Sequence, residues 1–200
     1  MKILHLDSSV TGANSISRPL TAATVARLLE LNPGAEVTYR DLVNEPLPHN
    51  TAAARTPSAL GPDATAEQKL EVALGQTLLD ELFAAEVVVI GVPMYNFGIS
   101  SQLKSWIDYL AVPGKTFSYS AEGPKGLAGG RRVILVSTRG GQYGPGSPYE
   151  IADFQEKYVK FVFGFLGITE VEVIRAEGVG RPDVRESAIA AAKQQIAELK

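Results

Sequence analysis

Cysteine is absent from the 200 residues. That excludes thiolate metal sites, disulfides and CxxC redox chemistry together. Histidine is scarce: His5 lies inside an apolar run and His49 in a polar loop, with no second ligand near either, so no metal site is expected. Nor is there an excess of basic charge. Nineteen Lys and Arg against 22 Asp and Glu leave −3, which gives no reason to expect a nucleic-acid partner. The same value is mild for an acidic electron carrier that steers its docking by charge. No apolar run approaches the length that crosses a bilayer, and Asp7 interrupts the start too early for a signal-peptide core. A cytoplasmic protein with no membrane partner is expected. Internal repeats, low-complexity tracts and domain boundaries are missing as well. With 45% hydrophobic and 20% charged residues, the chain reads as one well-buried globular domain over residues 1–200.

What is present is alternation. Lys2–Asp7 reads as a strand, followed by a helix with Leu20, Thr24, Leu28 and Leu31 on one face. Ser17 is its expected cap, and Pro19 sits in the first turn, where a missing N–H is harmless. Glu36–Asp41 alternates as a second strand. A helix opening on Thr65-Ala66-Glu67-Gln68, a capping-box pattern, buries Leu70, Leu74, Leu78 and Leu82. The third strand is the β-branched run ending at Val92, the fourth is Arg131–Ser137 and the fifth Val171–Ala176. The last helix opens on Asp183-Val184-Arg185-Glu186, again like a capping box, with Ile189, Ala192, Ile196 and Leu199 as its stripe. Strands one, three and four look buried on both faces, and two and five look like edges. That pattern predicts an α/β, doubly wound, parallel five-stranded sheet of order 2-1-3-4-5 with helices on both faces. Two segments exceed this plan. Residues 44–64 read as a long loop or lid, and residues 112–130 as a hairpin excursion.

Open α/β sheets bind ligands at the carboxyl ends of their strands. Three loops there are rich in ligand-competent groups. The first, Ser8 to Arg18, offers hydroxyls at 8, 9, 11, 15 and 17 in front of a helix N-terminus, an anion site by virtue of free amides and dipole. It contains neither GxGxxG nor GxxxxGK[ST], so a terminal phosphomonoester suits it better than a pyrophosphate. An ordinary polar loop with a helix cap reads equally well from this segment alone. The second, Pro93-Met94-Tyr95-Asn96-Phe97-Gly98-Ile99-Ser100, presents two aromatic rings, an amide and a glycine. Ser100 then caps a helix with Leu103, Trp106, Ile107 and Leu110 on one stripe. The third, Thr138-Arg139-Gly140-Gly141, lets backbone amides approach the acceptor edge of a flat ring. Trp106 reads as core, and Lys104 with Asp108 as a solvated i,i+4 pair.

These segments resemble the three flavin loops of the FMN-dependent NADH:azoreductases, a flavodoxin-like family of homodimers that also reduces quinones. The resemblance implies that Ser9, Ser15, Ile16 and Ser17 bind the FMN phosphate. It implies that Met94, Tyr95, Asn96 and Phe97 line the isoalloxazine, and that Thr138, Arg139, Gly140 and Gly141 contact its pyrimidine end or ribityl chain. Tyr119 and Phe165 match aromatic positions near the ring, where part of the site comes from the other subunit. Tyr143 stands where a relative has histidine, and a phenol can also donate a proton. The expected activity is reduction of quinones and azo compounds by NADH or NADPH through bound FMN, in alternating half-reactions on one flavin face. The protein supplies position and electrostatics, and no catalytic side chain is assigned. A 2′-phosphate of NADPH could find a loop residue such as Arg55. The alternative is a flavodoxin-type FMN electron carrier. A signalling receiver domain is excluded, because Pro93-Met94 stands where its phosphorylated Asp would be. The aromatic face of a helix over 149–165 and the 112–130 excursion are the expected surfaces of a homodimer whose sites lie at the interface.

Overall fold

A computed structural model describes residues 1–55 and 60–200. In chain order it contains β1 (Lys2–Asp7), α1 (Ser17–Leu31), β2 (Glu36–Asp41), the short α2 (Ala52–Arg55), α3 (Ala66–Ala84), β3 (Val87–Pro93) and α4 (Ser101–Leu110). An antiparallel hairpin, β4 (Phe117–Ser120) and β5 (Gly123–Gly126), precedes β6 (Arg132–Arg139), α5 (Glu156–Phe165), β7 (Glu170–Glu177) and α6 (Pro182–Ala197). The main sheet is parallel, ordered β2-β1-β3-β6-β7. Counted in chain order its strands run 2-1-3-4-5, the doubly wound order read from burial patterning.

Period-two alternation divides the core between the two faces of the sheet. Ile3, Val87, Val89, Ile134 and Val136 pack with Leu20, Leu28, Ala192 and Ile196 of α1 and α6. Leu4, Leu6, Val88, Ile90, Val133 and Leu135 pack against α3, α4 and α5 through Leu78, Leu82, Leu103, Trp106, Val159 and Phe163. The three inner strands are thus covered on both sides, and their apolar runs follow from that. The caps at Thr65 and Ser100 form as expected, with the reciprocal box at Thr65 and Gln68 and the Ser100 hydroxyl accepting from the Leu103 amide at 3.1 Å. Lys104 and Asp108 pair at 2.7 Å on the outer face of α4.

Several local expectations are corrected. Ser17 is the first residue of α1 and not its cap; the hydroxyl of Ser15 accepts from the Arg18 amide instead. α6 begins with Pro182 at its first position and has no side-chain cap, because Pro fixes the entry dihedral by itself. Leu70 and Leu31 are exposed and lie outside the buried stripes expected of their helices. β6 continues two residues past Ser137, so Thr138 and Arg139 belong to the strand. The helix expected over 149–165 starts only at Glu156, after a short 3-10 turn, and it buries Val159 and Phe163 while Phe161 faces solvent. The 44–64 segment contains α2; its residues 56–59 lie outside the described residues.

The hairpin lies at the amino-terminal edge of the sheet. In a parallel sheet α4 and α5 run back against the strands, and the hairpin is tied to where both end. Thr116 Oγ1 donates to the Leu110 carbonyl, and the Ala128 amide to the Leu166 carbonyl at 2.8 Å. The clamp is a glycine pair: a Cβ on Gly126 would fall 2.1 Å from the Gly167 nitrogen. Gly126→Ala should therefore cost about 1–3 kcal/mol, since backbone cannot move aside as a side chain can. Gly61→Ala, where a Cβ meets nothing within 4 Å, should stay within about 0.5 kcal/mol of the parent. Urea unfolding of the two variants compares them directly, and equal midpoints would contradict the clamp.

Candidate functional site

The three expected loops meet at the carboxyl edge. After β1 the chain enters a 3-10 turn, Gly12–Asn14, which delivers Ser15, Ile16 and Ser17 to the start of α1. Ser15 and Ser17 are buried with their hydroxyls 3.3 Å apart. The amides of Ile16 and Ser17 find no acceptor among the described residues. Two free amides, two hydroxyls and a helix N-terminus form a cradle for an anion. The Ser9 hydroxyl is already engaged: it hydrogen-bonds with Thr11 at 3.0 Å and with the Tyr95 hydroxyl at 3.2 Å. It therefore joins the first loop to the second.

Arg18, the cation nearest this cradle in sequence, is already engaged. Its guanidinium donates to both Asp41 oxygens at 2.6 and 2.8 Å and to the Ser9 carbonyl at 3.1 Å. The Arg18 hydrogen bonds hold the Asp41 carboxyl down at about 2, against the opposing effect of burial and with help from the amides of Val43 and Asn44. Beside this pair, Tyr39 donates to Asp7 at 3.0 Å, and burial together with the Asp7 charge pushes its phenol up to about 12. Gly91 of β3 makes room for these groups, since a Cβ there would press on Asp7 and Thr21 at 3.1 and 3.2 Å.

The second loop is a two-residue reversal. Tyr95 and Gly98 exchange both backbone hydrogen bonds at 2.9 and 3.0 Å, and the central residues Asn96 and Phe97 have φ of +47° and +72°. Positive φ at both centres is the primed turn that β-hairpins favour. Asn accepts that conformation readily; Phe does not. The Tyr95 hydroxyl accepts from the Val10 amide at 3.1 Å, and the Met94 amide donates to the Thr138 carbonyl at 2.9 Å. The turn is thus braced from both sides while Asn96 and Phe97 face outward, Phe97 half exposed.

Leading into the third loop, Thr138 is the penultimate residue of β6, and its hydroxyl makes no hydrogen bond among the described residues. Gly140 and Gly141 follow, their carbonyls accepting from the amides of Gly180 and Gly178. The Arg139 side chain does not join them. It points to the α5 face and is fully buried, paired with Asp153 and Glu177 at 3.2 Å and with Glu156, while its Nε donates to Ser137. Burial pushes the Glu156 carboxyl up, but the hydrogen bonds from Arg175 and the charges of Arg139 and Arg175 outweigh it and hold the group below its ordinary range. Only the Arg139 backbone remains on the loop side.

A recess of about 540 Å³ opens beside these loops, lined by Phe97, Gly141, Tyr143, Tyr149 and Arg181 among others. Phe97 and Tyr143 meet edge to face, with centroids 6.0 Å apart. Tyr149 and Arg181 were not expected from sequence. One lies in an unpatterned loop and the other opens the last helix, 38 residues beyond Tyr143; the only sequence signal is the Gly178–Gly180 pair that folds against Gly140. Tyr119 and Phe165 are not brought to this recess. Both pack on Phe117, at centroid distances of 5.5 and 4.7 Å, on the hairpin at the opposite edge.

A doubly wound sheet with three braced loops at its carboxyl edge defines a flavodoxin-like protein. The chain belongs to the flavodoxin-like fold family, which matches residues 1–199. It is 51% identical over 199 residues to the FMN-dependent NADH:quinone oxidoreductase of Rhizobium meliloti, covering 99% of this chain and 96% of that one. It is 49% identical over 201 residues to a protein of the same name from Methylorubrum extorquens, covering 100% and 99%. Among solved structures, an azoreductase from Bacillus anthracis superposes with a TM-score of 0.90 at 33% identity, covering 99% and 97% of the two chains. An FMN-dependent NADH-azoreductase from the same species, in complex with FMN, gives 0.85 at 25%, covering 98% of each.

Asp41 offers a pH test of the first loop. Its folded pKa lies below its unfolded value near 3.9, so the stability it contributes is complete above about pH 4 and is lost as pH falls through about 2. Asp41→Asn should cost about 1–2 kcal/mol at pH 7, a figure reduced for partial solvent screening. The gap to the parent should narrow as acid protonates Asp41. Denaturant unfolding at several pH values measures it, and a pH-independent gap would remove the ion pair from the account.

Proposed function

We propose that this protein, as one domain over residues 1–200, is an FMN-dependent oxidoreductase that uses NADH or NADPH to reduce quinones and azo compounds. The observation that carries the reading is the convergence of an anion cradle, a braced aromatic turn and a Gly-Gly loop on one edge of a flavodoxin-like sheet. Relatives at about half identity over the full length are named for this quinone reductase activity, and a neighbour in structure is named as a complex with FMN. The carrier alternative is not favoured, since those relatives are named as enzymes.

The residues present fit FMN. The amides of Ile16 and Ser17 and the hydroxyls of Ser15 and Ser17 would hold the terminal phosphate with neutral donors, and the loop carries no GxGxxG for a pyrophosphate. Asn96, the free Thr138 hydroxyl and the backbone of Arg139 to Gly141 would meet the polar edge of the ring, with Met94, Tyr95 and Phe97 along its flat side. Bound FMN supplies hydride acceptance and donation. Ser9 acts indirectly, through the Tyr95 hydroxyl. Tyr143, beside Phe97, would line the substrate slot, where its phenol can donate a hydrogen bond. One recess serves both substrates, so they must take turns.

The partner arrangement follows from the aromatic positions. Tyr119 and Phe165 sit at the amino edge and cannot wall the recess of their own chain. A second copy could bring them there. Phe154, Phe161 and Ile151 are 64%, 75% and 84% exposed, which is costly for a lone chain, and a twofold pair would cover two copies of one patch. A homodimer with sites at its interface satisfies both facts. No described helix is long and apolar enough to cross a membrane, and a cytoplasmic site of action with small-molecule substrates suits such an enzyme.

The purified protein should be yellow and release FMN, not FAD, on mass analysis. Steady-state kinetics with NADH and a quinone should give parallel double-reciprocal lines. A colourless protein that FMN cannot reconstitute would end this reading, and intersecting lines would require a separate nicotinamide site. Sedimentation should show a dimer, and Phe161→Glu, which changes an exposed position, should weaken it and lower activity in step. A fully active monomer at micromolar concentration would contradict the shared site.

A further inference from the structure

The recess beside Phe97 and Tyr143 carries three aromatic rings, those of Phe97, Tyr143 and Tyr149. Among its lining residues Arg181 alone carries a formal charge. The position of Arg181 is built. Gly178, with φ +76°, turns the chain after β7, and the Arg181 amide closes the turn on the Gly178 carbonyl at 2.9 Å. Gly180 lies so close to Gly140 that a Cβ would meet the Gly140 oxygen at 3.0 Å, and its amide donates to that oxygen at 3.1 Å. Pro182 then starts α6, and its fixed φ sets the direction in which the helix leaves this turn. The third loop and Arg181 are therefore held in fixed relation.

The guanidinium is only loosely committed. It donates to Asp183 through Nε at 3.3 Å and Nη2 at 2.6 Å, with both side chains about 60% exposed. Its Nη1 has no hydrogen bond among the described residues. Exposed pairs of this kind are weak and screened by salt, so an incoming anion can displace the carboxylate. By contrast Arg18 and Arg139 are locked in multiple buried or half-buried contacts.

We propose that Arg181 is a specificity residue that favours planar aromatic acceptors bearing a carboxylate or sulfonate, with Asp183 as its competing intramolecular anion. The flat part of such a molecule lies between Phe97, Tyr143 and Tyr149, and its negative group replaces Asp183 on the guanidinium fork. This rests on the oxidoreductase reading given above. A dinucleotide phosphate is the other anion that could reach this rim. The lining favours the acceptor, because the charge adjoins the aromatic slot itself.

The test compares naphthoquinone with naphthoquinone sulfonate as acceptors for NADH. The readout is the ratio of kcat/KM for the sulfonate to that for the neutral quinone, taken relative to the parent enzyme so that differences in acceptor potential cancel. Arg181→Gln should lower the ratio by a factor of about 1.4 to 5, the range for an exposed pair. Asp183→Asn should raise it. In the parent, the ratio should fall as ionic strength rises from about 0.01 to about 0.15 M, over which the Debye length shrinks from about 30 to about 8 Å. Ratios unchanged in both variants, or lowered in both, would overturn the proposal. So would an unchanged ratio in Arg181→Gln accompanied by slower flavin bleaching with NADPH than with NADH, which would assign the cation to the dinucleotide. If the parent enzyme reduces neither quinone, the functional reading fails first, and that result is separate from any variant.

Discussion

Arg18 reaches from the first turn of α1 across the end of the sheet to Asp41, and its guanidinium is divided between that carboxylate and the Ser9 carbonyl. One side chain thereby ties together three things: the end of β2, the start of α1 and the loop that leads from β1 into α1. The bidentate, charge-assisted geometry gives it direction as well as strength. A second consequence is chemical. Because the cation is neutralised by Asp41, the cradle formed by Ser15 to Ser17 must hold an anion with neutral donors and the helix dipole. A cradle of that kind has only a few donors at fixed positions, and a single phosphate matches it better than an extended polyphosphate.

Arg139 does the corresponding work on the far side of the turn. It lies at 1% exposure with Asp153, Glu156 and Glu177 around it, and Arg175 completes the cluster on Glu156. Glu177 also accepts from the Tyr143 amide at 2.8 Å. Burying such a cluster is poor value for stability alone, although removing one partner leaves an uncompensated charge worth about 3–5 kcal/mol. Its effect is orientation: the path of residues 140–144, and with it the Tyr143 ring, is referred to the rigid end of β6.

Much of this was legible in the sequence because it follows from periodicity. The apolar runs of β1, β3 and β6 and the alternation of β2 and β7 report burial on two faces or one, and sheet order follows from that. The cap at Ser100 and the box at Thr65 are local patterns, and they hold. What was not legible depends on partners distant in sequence. Ser17 falls inside α1, and the hydroxyl of Ser15, delivered by the 3-10 turn before it, meets the Arg18 amide. Arg139 reads as a loop residue in sequence, yet its role is set by Asp153, Glu156 and Glu177. The Phe154, Tyr158, Phe161, Phe165 spacing reads as one helical stripe of core or dimer contact, whereas α5 begins after Phe154 and buries the Val159–Phe163 line, leaving Phe161 exposed. Arg181 has no local signature beyond its glycines.

The turn at Asn96 and Phe97 shows why such bracing is needed. A bulky residue at φ +72° costs about 1–3 kcal/mol in an isolated chain. Relaxing Phe97 would break the paired Tyr95–Gly98 bonds, free the Met94 amide from Thr138 and release the Tyr95 hydroxyl from Val10. Those contacts over-determine the strained conformation, so the ring stays presented at the mouth of the recess when nothing covers it. Tyr119 and Phe165, tied through Phe117 to the opposite edge, cannot provide that cover from the same chain. In the proposed homodimer, the wall held open on one edge of a chain would meet the aromatic residues carried on the opposite edge of its partner.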